Sequence, residues 1–94
     1  MSNFLQETRK EIDVIDRQIM AALVRRFKIT HKVGVYKKRH RLPPLDKKRE
    51  SEVFAHKKIL AMKHKLNPLL VEKIFKNIIA EVRKNHRHER NSGK

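Results

Sequence analysis

The first glycine of this chain is Gly34 and the first proline is Pro43, and an apolar stripe runs through the residues before them. Ile12, Ile15, Ile19, Leu23, Phe27, Thr30 and Val33 step by three or four, the spacing that puts side chains on one face of an α-helix. Pro43 disfavours helical backbone at Leu42, so the pattern predicts a first helix ending near His40. About 36 residues at 1.5 Å rise make a rod of roughly 54 Å, whereas a compact chain of this size has a radius of gyration of about 12 Å. The rest of a 94-residue chain cannot cover such a rod. The expectation is therefore an intertwined homodimer in which the long helices of two copies pack together. The alternative is a break near Gly34, because glycine inside a helix costs about 1 kcal/mol relative to alanine. Glycine at that point also permits a close approach to the backbone.

Two more helices follow. Asp46 is a suitable N-cap for a segment from about Lys47 to Lys63, in which Val53, Ile59, Leu60 and Met62 supply apolar groups. Asn67-Pro68 pairs a capping side chain with proline at the first helical position. Leu70, Val71, Ile74, Phe75, Ile78, Ile79 and Val82 then form a broad apolar face. Glycine, proline and aromatic residues are too scarce for a turn-rich β fold. The fold class expected is all-α, three helices per chain with a long first helix. Residues 1–94 form one domain on this reading, and its end from about Arg87 is a basic, mobile tail.

Lys and Arg number 25 against 10 acidic residues, a formal net charge of +15, so the partner is an anion of some kind. There is no cysteine, which excludes a disulfide framework and a thiolate metal site and fits a cytoplasmic location. The opening MSNFLQETRKEID lacks the apolar core of a secretory signal, and no stretch reaches the roughly 20 apolar residues that span a bilayer. The six histidines show no metal spacing; His86 and His88 are two apart and point to different faces of a helix. No metal and no membrane are expected.

Most of the basic residues are ordinary solvated surface. Arg9, Arg26 and Lys37 are singled out by spacing. Arg26 and Lys37 are 11 residues apart, close to three full turns, and share a face. Arg9 lies 17 residues before Arg26, roughly 25 Å along the axis, so no small ligand reaches both on one copy. In an antiparallel dimer Arg9 of one chain meets Arg26 and Lys37 of the other.

RKEIDVID at 9–16, RRF at 25–27, VGVYK at 33–37, LDKKRE at 45–50 and NPLLVEKIFKNIIAEV at 67–82 follow one another in order. Together they resemble the all-α class of chorismate mutase over about residues 5–86. The resemblance implies an intertwined dimer of three-helix chains with two shared active sites and no cofactor. It implies that Arg9 of the neighbouring chain, Arg26 and Lys37 hold the carboxylates of chorismate, and that Lys37 also reaches the ether oxygen. Arg49 supports the carboxylate-binding array, while Glu50 and the backbone at Asp46 take the ring hydroxyl. The chemistry implied is a Claisen rearrangement to prephenate, in aromatic amino-acid biosynthesis. It calls for positioning and for cationic donors at a developing oxyanion.

Two positions depart from the family pattern. Val82 stands where a serine often helps to bind a carboxylate, and His86 stands where a glutamine donates to the ether oxygen. Valine has no donor; histidine donates as a neutral tautomer or as a cation. Three alternatives remain at this level, one of them a helical interaction module whose mutase pocket has decayed, which Val82 leaves open. An isochorismate-pyruvate lyase uses a similar pocket on a similar substrate. A basic helical protein would bind nucleic acid through phosphate contacts, but the aromatics that stack bases are few, and nucleic acid is not the expected partner.

Overall fold

The structure is a computed structural model and describes residues 2–44 and 46–92. Leu45 of the LDKKRE segment, Met1, and Gly93 and Lys94 at the end of the expected tail lie outside the described residues. Three helices account for nearly all of the rest: α1 (Ser2–Arg39), α2 (Lys47–Lys63) and α3 (Pro68–Ser92). The described residues are all-α, as the sequence predicts.

The helix boundaries follow from local chemistry. Asp46 has extended backbone, and its carboxylate accepts from the Arg49 amide at 3.0 Å, which caps α2. Asn67 Oδ1 accepts from the Leu69 amide at 3.0 Å, and Pro68 takes the first helical position, where no amide proton is needed. At the end of α1, Leu42 N donates to Lys37 O at 2.8 Å and Arg41 N to Lys38 O at 3.3 Å, with Arg41 at φ 55°. At the end of α2, Leu66 N donates to Ala61 O at 2.8 Å and Lys65 N to Met62 O at 3.1 Å, with Lys65 at φ 59°. Both ends are Schellman motifs with a left-handed residue just past the helix. α3 runs to Ser92, and after Pro68 no glycine or proline intervenes before Gly93.

The chain divides into two compact units, residues 1–30 and residues 31–94. The described residues of the first unit are a single stretch of helix. Its apolar stripe is largely uncovered: Ile12, Ile15 and Ile19 are 55%, 53% and 54% exposed, while Leu23 and Phe27 are half-buried. In the second unit α2 packs on α3. Among the described residues Ala61 and Val71 are its buried apolar ones, and Val53, Phe54, Leu60, Phe75, Ile78, Ile79 and Val82 are half-buried. Lys57 places its ammonium 4.9 Å from the centre of the Phe75 ring. Part of the expected apolar face stays open, since Ile59, Met62, Leu70 and Ile74 are exposed. No helix among the described residues is long and apolar enough to cross a membrane.

Candidate active site

Six of the eight residues singled out from the sequence lie in the second unit. Lys37 is half-buried in the last turn of α1, and its Nζ donates to Pro44 O at 3.5 Å, the long limit of a hydrogen bond. Asp46 opens α2. Arg49 follows within the first turn, where its amide is bound to the cap and its side chain is 70% exposed beside Glu52 at 4.0 Å. So open an ion pair contributes little. Glu50 is half-buried, and its Oε1 accepts from Arg83 Nη2 of α3. The Arg-Glu pair at the start of α2 therefore splits in direction: Arg49 remains near solvent and Glu50 turns to α3.

Val82 and His86 lie one helical turn apart on α3, half-buried and buried respectively. His86, only 8% exposed, lies against Gly34 of α1. A Cβ on Gly34 would stand 2.7 Å from His86 Cδ2 and 2.9 Å from Nε2, closer than such atoms approach. The missing side chain is what admits the imidazole. The inward placing of His86 agrees with its position four residues beyond Val82.

Arg9 and Arg26 belong to the first unit. Arg9 is exposed and Arg26 half-buried, and their separation of 17 helical residues keeps them roughly 25 Å apart on one chain. Arg83 is the functional candidate that the sequence did not disclose. Nothing local marks it, because its contact with Glu50 depends on how α2 and α3 are rotated against each other. A cleft of about 320 Å³ elsewhere on α2 and α3, lined by Phe54, Lys57, Lys58, Leu69 and Glu72, contains none of these residues. Among the described residues no three His, Asp or Glu side chains are grouped to hold a metal ion.

As a class, this is an all-α domain in which the end of one helix, the start of the second and one face of the third present cations, a carboxylate and an imidazole. The sequence matches the family model of chorismate mutase type II over residues 8–87, and the chain belongs to that family. Comparison with curated proteins finds no match.

Proposed function

We propose that the protein is a chorismate mutase that converts chorismate to prephenate in the cytoplasm, as a step of aromatic amino-acid biosynthesis. The observation that carries this reading is the family match, whose span of residues 8–87 contains every residue assigned to the site. The rearrangement is unimolecular: the ether C–O bond breaks as a C–C bond forms, and no proton or group is gained or lost. The protein must hold the substrate in its compact diaxial conformer and stabilise negative charge growing on the ether oxygen. The first is a positioning effect and the second an electrostatic one.

In this proposal Lys37 gives up its long contact with Pro44 O to bind a carboxylate and the ether oxygen. His86 is the second donor to that oxygen, in the place where the family usually has glutamine. Arg26 and Arg9 bind carboxylates through the planar fork of the guanidinium. Arg49 supports that array, Glu50 accepts from the ring hydroxyl together with the backbone at Asp46, and Val82 forms an apolar wall.

The same proposal makes the working molecule a homodimer with shared sites, Arg9 coming from the neighbouring copy. Two observations support it. The uncovered row Ile12, Ile15, Ile19 needs an apolar partner. Moreover, among the described residues the buried apolar ones are Ala61 and Val71, a small core for three helices.

The test is the ultraviolet loss of chorismate with identification of the product. Prephenate formed well above the uncatalysed rate supports the proposal, and no turnover by the folded protein rejects it. Salicylate and pyruvate formed from isochorismate, with chorismate untouched, would assign the lyase instead.

A further inference from the structure

Arg83 has no task in the reaction as set out above, yet it holds a residue that does. Its Nη2 donates to Glu50 Oε1, linking α3 to the first turn of α2. Glu50 is the more shielded partner, with its side chain 24% exposed against 43% for Arg83. On α3, Arg83 follows Val82 directly and lies three residues before His86, so it borders the face that those two residues form. The attachment is through one carboxylate oxygen. Glu50 Oε2 remains to accept from a hydroxyl, and a carboxylate has lone pairs for both tasks.

A carboxylate is also an awkward neighbour for a ligand with two carboxylates of its own, because like charges repel strongly in a partly desolvated site. A guanidinium bound to Glu50 Oε1 offsets that repulsion and limits the rotamers that Glu50 samples. We infer that Arg83 is a positioning residue: it orients the Glu50 carboxylate toward the substrate's ring hydroxyl and compensates its charge. This inference rests on the mutase reading and deepens it. Arg83 acts through Glu50 and touches no reacting atom.

The experiment is a double-mutant cycle in steady-state chorismate turnover, using Arg83→Ala, Glu50→Gln and the double variant, with Arg83→Lys as the conservative replacement. Arg83→Ala should raise KM about tenfold with a smaller change in kcat, and Arg83→Lys should recover part of the loss. In the Glu50→Gln background, Arg83→Ala should add less than about a twofold effect, because the group it serves is already gone. Multiplying effects in the double variant, or unchanged kinetics in Arg83→Ala, would overturn the inference while leaving the mutase reading intact. A wild-type protein that does not turn over chorismate overturns both. Should Arg83→Ala fail to fold, Arg83→Met keeps the alkyl stem and carries the same comparison.

Discussion

Position 34 shows how much a single absent side chain decides. The imidazole of His86 occupies the volume that a Cβ on Gly34 would need, 2.7 Å from its Cδ2. Alanine would gain about 1 kcal/mol in helix propensity but would displace the ring. Gly34→Ala should therefore lower kcat as far as His86→Ala does. In a His86→Ala background the same substitution should become stabilising by up to about 1 kcal/mol. Chemical denaturation and chorismate turnover on the four proteins of this cycle decide the matter. A single Gly34→Ala variant with full activity and the whole propensity gain would show that the contact has no consequence. The chance of a close approach at Gly34 was legible in the sequence, because glycine has no side chain to hold a neighbour off, but the neighbour that fills the space was not. The meeting of Glu50 with Arg83 was not legible. Residues 33 apart have no local signal of contact, and only the packing of α2 on α3 creates one.

The ends of α1 and α2, at Arg39 and Lys63, fall within a residue of their expected places, as the starts of α2 and α3 do at Lys47 and Pro68. Asp46 and Asn67 announce α2 and α3 through side chains that bind the first amides, and the structure shows both bonds. The ends of α1 and α2 close with left-handed residues that are not glycine, Arg41 at φ 55° and Lys65 at φ 59°, so the usual marker is missing. An L-residue in that conformation costs roughly 1–2 kcal/mol, part of which glycine returns to the unfolded state as extra chain entropy. Lys65→Gly should raise stability by about 0.5–1 kcal/mol, seen as a higher urea midpoint at unchanged slope. A lower midpoint would mean that the Lys65 side chain makes a contribution beyond its backbone.

At the scale of the whole molecule, charge and apolar surface are divided unequally along the chain. Residues 31–94 carry 19 Lys and Arg against 6 Asp and Glu, a net +13, whereas residues 1–30 carry 6 against 4, a net +2. A dianionic substrate is drawn to such a field, so KM for chorismate should rise several-fold as salt goes from about 0.05 to 0.5 M, with kcat little changed. The nearly neutral first unit bears the uncovered isoleucines, and that is where the proposed second copy packs. If sites are shared between copies, Arg9 and Lys37 act in one site but come from different chains. Arg9→Ala and Lys37→Ala proteins should each be nearly inactive alone. When equal amounts are unfolded together and refolded, half of the dimers are mixed, and each mixed dimer has one site with both wild-type residues. Activity should then return to about a quarter of the wild-type value. Sites built within single chains would contain one substitution in every case, and mixing would restore nothing. The outcome thus separates a shared site from a self-contained one without depending on the rate of the wild-type enzyme, because both variants and their mixture are read against the same standard.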